Sequence, residues 1–546
     1  MRKLLLAPAI CLCTILWGQS IDFTTASSIG GPDEDRLGDI ANDTHGNTYV
    51  CGTFKGSITL GTIVLTSPSP LFTDAFVGKR SVGGDWVWAK GLGGTSSDRG
   101  VGIALDGAGH LYVAAQLAAS NTITYGSTPV AVTAPAVVIA KLDTAGQWIH
   151  HSTIEGPGPT FTFELTMTAQ GDVIVAFDHN PWNLTLSFDG LLVNCGGSMD
   201  VVVAKLAASG IWQWAKTYFV PLPQFPEVVL RDLVVDDAGN VYIGGWFQGY
   251  TMQFDQVTLN AEPYAFWDQI VTFYIVQLDA NGIVQWGRTV DPDLAGNSGV
   301  SSFVWDPAGS LIALINYTDE FGINGSTWNG YSAVLARLNA NGAYLSTDSM
   351  TNWTGVVGIR EMVLADDGSL YGVGDYGDPF TVGGDQLTNQ GARDQFIAHF
   401  SGTGVGLGAF GLGESGDDWG TSLTLSDGHL TWAGNYHLHA VFPGTSLPSI
   451  GDEDVFITHV DAGSVGWQEE GLAEGIFIHP NPTNGAITIN ADPSILGAPL
   501  SIHDGLGRLV HQEQVGKTTF MLDLAPYGHG LYTVRSGTFS SRIAVE

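Results

Sequence analysis

The chain is poor in cysteine and in positive charge. Of its four cysteines in 546 residues, Cys11 and Cys13 fall in the apolar N-terminal stretch, leaving Cys51 and Cys195. These two lie two repeats apart in the pattern described below, and a disulfide needs Cα atoms within roughly 7 Å, so two buried thiols are expected rather than a disulfide framework. Lys and Arg number 20 against 54 Asp and Glu, a net charge of −34, and nearly all the acids precede residue 476. That sign excludes nucleic acid and anionic headgroups as partners, because phosphate recognition needs a basic face. Beyond Leu4 to Trp17 no apolar run approaches a membrane span, so the mature chain is expected to have no transmembrane segment. Linear catalytic text is also missing: there is no G-x-S-x-G, C-x-x-C, H-E-x-x-H or G-x-x-x-x-G-K-[ST]. This excludes the nucleophile-elbow, thiol-redox, zincin and P-loop classes, but not an enzyme whose acids converge from separate strands.

What the chain has is glycine at a regular interval. Gly46, Gly109, Gly171, Gly239, Gly309, Gly368 and Gly428 each close a turn, at spacings of roughly 60 to 70 residues, the mark of a repeat array. In four copies an Asp opens the turn (Asp43, Asp106, Asp236, Asp306), which is type I chemistry. A second glycine turn follows in each copy, at Gly84, Gly146, Gly210, Gly282, Gly342, Gly404 and Gly463. Before it an apolar strand ends in a long polar residue: Lys79, Lys141, Lys205, Gln277, Arg337, His399 and His459.

Four strands per copy with no helical periodicity predict an all-β fold, a seven-bladed β-propeller of four-stranded blades over residues 21–467; an open stack is the competing geometry. The segment Asp22 to Gly31 reads like the last strand of a repeat, which lets the ring close. Thr73 to Lys79 (TDAFVGK), Trp88-Ala89-Lys90, Gly93-Gly94, Asp98, Ala104-Leu105-Asp106 and Gly109-His110-Leu111-Tyr112 resemble the repeats of secreted bacterial β-propeller proteins (SBBP-type repeats). The resemblance implies a propeller and not one activity, because such folds host enzymes, binders and scaffolds alike.

The ends predict the destination. Met1-Arg2-Lys3, the apolar stretch and Gly18-Gln19-Ser20 form a signal peptide over residues 1–20, cut before Ile21. A polar linker, 468–475, precedes a unit of seven short strands, 476–546, which reads as a small immunoglobulin-like β-sandwich. Its landmarks Pro480, Asn481, Pro482 and Gly485, then Gly505, Gly507 and Arg508, then Gly530 and Tyr532 resemble the type A C-terminal sorting domain of the type IX secretion system of Bacteroidota. That resemblance implies recognition by the outer-membrane secretion machinery, as a partner, and delivery to the cell surface or the medium.

Sites are harder to read. The two short glycine turns lie on one face of a propeller, and the longer connections on the other collect acids. Asp33, Asp35, Asp98, Asp417 and Asp418 are candidate ligands for Ca²⁺, which takes hard oxygens, although no run has a dedicated loop spacing. Solubility outside the cell is the competing account of the same charge. Trp182, Tyr264 and Trp267 sit on long connections and are candidate ligand-face aromatics for a glycan or protein. His437 and His439 flank Leu438 and would face one way on a strand. Glu164, Arg231, Arg360 and Glu361 are the charged residues at the innermost strands, whose other positions are small, favouring a narrow or filled channel. The expected function is an exported binding or adhesion module with no assigned catalytic residue. A secreted glycosidase or lyase, and a structural surface scaffold, are the alternatives.

Overall fold

The computed structural model describes residues 21–461 apart from 119–121, 126–127, 132–134, 157–161, 180–184, 197–198, 220–226, 249–250, 261–270, 290–297, 318–319, 330–331, 351–352, 355–356, 417 and 420. It describes 476–545 apart from 480–485, 492–495, 505–507, 529 and 537–538. The chain divides into two compact units, Met1–Ala462 and Gly463–Glu546.

In the first unit, seven antiparallel arrangements of four strands succeed one another, here called sheets one to seven. Their first strands are Arg36–Asn42, Asp98–Leu105, Phe163–Met167, Val228–Val235, Ser298–Asp306, Val357–Leu364 and Thr421–Ser426. Each first strand packs on the first strand of the next sheet, and the seventh packs back on the first. The arrangement is therefore a propeller-like closed ring with these strands innermost. Asp22–Ile29 supplies the outermost strand of sheet seven, pairing with Asp454–Asp461 from Asp22↔Asp461 to Ile29↔Val455. The two ends of the unit are thus hydrogen-bonded into one sheet.

The repeated residues explain the repeated structure. At the first turn Asp43 Oδ1 accepts the amides of His45 and Asn47, at 3.0 and 2.9 Å, and Gly46 closes the turn at φ +74°. In four sheets the polar residue ending the third strand reaches the first turn of its own sheet, as where Lys205 pairs with Asp172 at 3.0 Å and Arg337 with Asp306 at 3.1 Å, whereas His459 turns instead to Thr48 and Arg80 of sheet one. Lys79 and Lys141 each lie 4.9 Å from the ring centroids of Tyr49 and Tyr112, and His399 stacks on Tyr371 at 4.4 Å. At Lys79 and Lys141 the position both reaches the turn acid and covers a ring, and in other sheets it does one or the other, which is why it keeps a long polar side chain.

Neighbouring sheets are latched by tryptophan. Trp88 Nε1 donates to Thr144 O at 3.0 Å, Trp214 Nε1 to Ala280 O at 3.2 Å and Trp286 Nε1 to Ala340 O at 3.0 Å, each reaching the second turn of the following sheet. The ring lies so close to the turn glycine that a Cβ on Gly146, Gly282 or Gly342 would come within 2.8, 2.7 or 2.5 Å of it. Buried clusters span these junctions; one runs from Tyr49 and Cys51 of sheet one to Val113 and Val138 of sheet two. Cys51 and Cys195 are both buried free thiols.

One repeated element was not anticipated. The connection between second and third strands folds into a short hairpin in every sheet, such as Thr185–Phe188 with Leu191–Asn194, and Glu320–Ile323 with Ser326–Asn329. Several of these hairpins pair with the outer strand of the preceding sheet, as at Tyr125↔Leu92, Phe188↔Ile154 and Gln253↔Phe219. Asp189-Gly190 and Asn324-Gly325, all at positive φ, were the readable signal for such tight hairpin turns.

The second unit holds a three-stranded and a four-stranded antiparallel sheet. Ile487 and Ile489 of the first face Leu500, Ile502 and Val534 of the second across one buried core.

Candidate functional site

The inner strands enclose a central channel of about 990 Å³, lined by residues from all seven. This corrects the expectation of a filled or narrow channel. Small side chains such as Gly38, Ser301, Gly358 and Ser422 let the backbones approach, and they also leave the lumen open.

One register position carries most of the chemistry. Counting four residues back from the first residue of the first turn gives Asp39, Gly102, Glu164, Asp232, Ser302 and Glu361 in sheets one to six; in sheet seven, where Ser426 and His429 pair directly across a tighter turn, Ser422 takes the place. Four of these seven are carboxylates, placed at one level of the inner strands in sheets one, three, four and six. In most sheets a bulge immediately precedes the position, for instance between Leu37 and Asp39, between Leu230 and Asp232 and between Ile359 and Glu361. A bulge re-aims the following side chain.

Most of these side chains hold the next inner strand. Asp39 accepts the amide of Ile103 in sheet two at 3.0 Å and the hydroxyl of Ser422 in sheet seven at 3.2 Å. Asp232 accepts the amide of Phe303 and the hydroxyl of Ser302, in sheet five. Ser302 Oγ accepts the amide of Met362, and Glu361 Oε2 that of Leu423, at 3.0 and 2.9 Å. Glu164 differs: none of the hydrogen bonds of the described residues reaches its carboxylate.

These carboxylates are half-exposed to channel water but have protein on every side, so their charged forms are poorly solvated. Burial pushes Asp39 and Asp232 up to about 6, against the pull of the amides they accept. Burial raises Glu361 further, assisted by the charge of Asp39. Glu164 is raised well above the usual carboxylate range by burial and then by Asp232, Asp39 and Glu361, with no hydrogen bond to oppose them.

Cations accompany the acids. Arg231 and Arg360 occupy the positions just before Asp232 and Glu361, are exposed, and line the same channel. Arg360 pairs with Asp375, which Arg393 also approaches at 3.7 Å. Arg231 makes no ion pair among the described residues; its field comes from Arg360 and, with opposite sign, Asp178. The channel therefore offers acceptors deep in the lumen and one uncommitted guanidinium. Sequence reasoning found Glu164, Arg231, Arg360 and Glu361 but passed over Asp39 and Asp232; the four-residue offset from the turn was the signal for both.

The acids expected on the long-connection face do not form one site. Asp33 is exposed, whereas Asp35, Asp98 and Asp418 are buried at three separate sheet junctions, each facing another aspartate: Asp454, Asp74 and Asp394 respectively. Among the described residues no group of three His, Cys, Asp or Glu side chains is placed to hold a metal. Asp417, Trp182, Tyr264 and Trp267 lie outside the described residues, as do residues 1–20, 468–475, Pro480, Asn481, Pro482, Gly485, Gly505 and Gly507. His437 and His439 do not share a strand, because Leu438 between them takes φ +60°. In the second unit Arg508 precedes Leu509–Gln514, Gly530 opens the strand Gly530–Ser536, and Tyr532 is buried. The Tyr532 hydroxyl donates to the carbonyls of Tyr527 and Gly528, at 2.7 and 2.8 Å, pinning the preceding turn.

That unit is also where the chain meets a known family. Residues 477–544 match the secretion system C-terminal sorting domain. The chain ends in a type IX sorting tail. A sorting tail implies interaction with the secretion machinery and indicates export to the cell surface or the medium. Among the described residues no helix is long and apolar enough to cross a membrane. No curated protein sequence matches the chain. Solved structures of similar architecture include PorZ, a surface component of the type IX secretion system of Porphyromonas gingivalis, at 14% identity and TM-score 0.39, over 95% of this chain and 60% of that one. An ulvan lyase of polysaccharide lyase family PL25 is similar at 10% identity and TM-score 0.41, over 79% and 95%. The phage phi92 endosialidase is similar at 11% identity and TM-score 0.35, over 95% and 87%. The chain thus spans 60% of PorZ's length, and at these scores the likeness carries no functional argument.

Proposed function

We propose that this protein is an exported binding module of Bacteroidota: a seven-bladed β-propeller of SBBP-type repeats over residues 21–467, made with a signal peptide and delivered by an immunoglobulin-like sorting tail. Its ligand enters the central channel. The observation that carries this reading is the uncommitted Arg231 guanidinium beside a layer of four inner-strand carboxylates in a water-accessible channel. Hydroxyl-rich ligands donate to carboxylates, and a guanidinium forks onto a carboxylate or sulfate. A glycan bearing such a group meets both demands, so the ligand class is an acidic glycan at the cell surface, and adhesion is the role.

A glycan array with the mature protein and with Arg231→Ala tests this. Binding of uronate- or sulfate-bearing glycans that the variant loses supports the reading; binding confined to neutral glycans, or retained by the variant, contradicts it. Glu164 supports a second reading as a polysaccharide-active enzyme, because an acid without a hydrogen-bond partner among the described residues, its proton held more tightly by burial and by neighbouring carboxylates, is suited to proton donation. Release of reducing or unsaturated sugar ends that disappears in Glu164→Gln separates that reading from simple binding.

A further inference from the structure

Six aspartates outside the channel share one arrangement. Asp98, Asp418 and Asp35 enter the inner strands of sheets two, seven and one, while Asp74, Asp394 and Asp454 open the third strands of sheets one, six and seven. Each pair spans the junction between a sheet and the next. All six side chains are at most 2% exposed. At the first junction Asp74 Oδ1 and Asp98 Oδ2 converge on a single donor, the Gly94 amide, each at 3.0 Å. At the other two a main-chain hydrogen bond holds the two segments together: the amide of Asp35 donates to Glu453 O and that of Asp418 to Arg393 O, both at 2.9 Å.

Some oxygens of the pairs lack a hydrogen bond of ordinary geometry, although Ser67 lies beside Asp74, Gly391 beside Asp394, and Ser449, Gly451 and Gly31 beside Asp454. Both carboxylate oxygens of Asp35, and one each of Asp74, Asp394 and Asp454, are fully buried with no hydrogen bond of ordinary geometry. The Gly31 and Lys55 amides near Asp35 soften its burial without satisfying it. Other groups crowding these junctions bring more acceptors. The carbonyls of Gly31 and Asp33 lie against Gly451, and those of Glu414 and Gly416 against Gly391. Every outer strand involved has glycine where the carboxylate lies: a Cβ on Gly93, Gly413 or Gly30 would come within 1.9, 2.3 or 2.3 Å of Asp74, Asp394 or Asp454. A buried place where paired carboxylates and carbonyls meet and some carboxylate oxygens lack a well-placed donor suits a cation, since an orphaned buried carboxylate costs more than a lost hydrogen bond.

We infer that the three junctions Asp74/Asp98, Asp394/Asp418 and Asp454/Asp35 are Ca²⁺ sites that tie neighbouring sheets together. Two carboxylates supply up to four hard oxygens, and backbone carbonyls and water complete the six to eight that Ca²⁺ takes. The sites are separate from the channel, so this inference stands whether or not the channel binds glycan. The competing occupant is a proton shared within each pair.

The test uses the mature protein, stripped with chelator and dialysed against micromolar Ca²⁺ in 0.15 M NaCl. Bound metal is counted by mass spectrometry and unfolding is followed by tryptophan fluorescence. Up to three Ca²⁺ per chain are expected, with a rise in Tm of several degrees and loss of one ion in Asp98→Asn. Terbium, used as a surrogate with the unmutated protein, should be sensitised by Tyr436 and Tyr376, which lie in the fields of Asp454 and Asp394. This arm remains informative if Asp98→Asn fails to fold. No bound Ca²⁺ and no sensitised terbium emission would overturn the inference in favour of shared protons. So would an undiminished ion count in a folded Asp98→Asn, which would place the ions on the exposed rim.

Discussion

Asp39 gives the sharpest prediction, because one side chain joins three sheets at the place where the ring closes. It accepts the amides of Ile40 and Ile103, at 2.7 and 3.0 Å, and the Ser422 hydroxyl at 3.2 Å. Burial nevertheless holds its carboxyl up at about 6, from an ordinary 3.8. A pKa raised in the folded state means that the folded protein binds the proton more tightly than the unfolded chain. Stability from this group is therefore greatest below pH 4 and declines as pH rises, with the whole loss in place above pH 6. Two units correspond to about 3 kcal/mol at most, and water in the channel reduces that to about 1–2 kcal/mol. Asp39→Asn removes the ionisation and disturbs the hydrogen bonds by an amount that does not depend on pH. The difference in unfolding free energy between variant and wild type should therefore move by about 1–2 kcal/mol in the variant's favour between pH 4.5 and 7.5. Urea titrations followed by tryptophan fluorescence report chiefly the relevant unit, since Trp467 is the one tryptophan of the sequence from Gly463 onward. A difference that stays flat with pH, or moves against the variant, would refute the reasoning.

Three further outcomes follow from the packing. Gly146→Ala forces a Cβ to 2.8 Å from Trp88 at φ +73°, and should cost about 2–4 kcal/mol in urea unfolding, while Gly107→Ala, in open space, should cost under about 1 kcal/mol. His459 is held down at about 4 by burial and the Arg80 charge, so charging it costs the folded state. It should contribute acid sensitivity of up to about 3 kcal/mol between pH 6.5 and 4, removed in His459→Asn and measured by thermal unfolding across that range. Tyr532→Phe deletes the single O–H donor shared by two carbonyls and should lower the stability of the sorting tail by about 1–2 kcal/mol, read by circular dichroism of the tail, with reduced export in a secretion assay.

Much of the architecture was legible because the same residues recur for local reasons. A turn glycine is recognisable from its Asp partner, and Lys79, Lys141 and Lys205 mark one register because each reaches an acid of the first turn of its own sheet. The sorting tail was legible from landmarks that lie close together in sequence. The channel was less so. Asp39 and Asp232 look like ordinary strand acids until the bulge before each turns it inward, and a bulge leaves no distinct mark in residue type. The paired aspartates were half-read for a different reason. Asp98 and Asp418 stood out within acid-rich connections, but Asp74 and Asp394 open apolar third strands, and only the junction of two sheets brings the partners together. The hairpins are hard to read because each is only three or four residues a strand, so that an Asp-Gly or Asn-Gly turn within a long connection is its main mark.

The most direct test of the central claim, that the channel is the binding site, is the glycan array run in parallel with the mature protein, with Arg231→Ala and with Glu164→Gln. The account predicts acidic-glycan binding by the wild type that both channel variants weaken at least tenfold while their tryptophan unfolding stays cooperative. Binding that survives both substitutions at unchanged strength would contradict it and move the ligand site out of the channel.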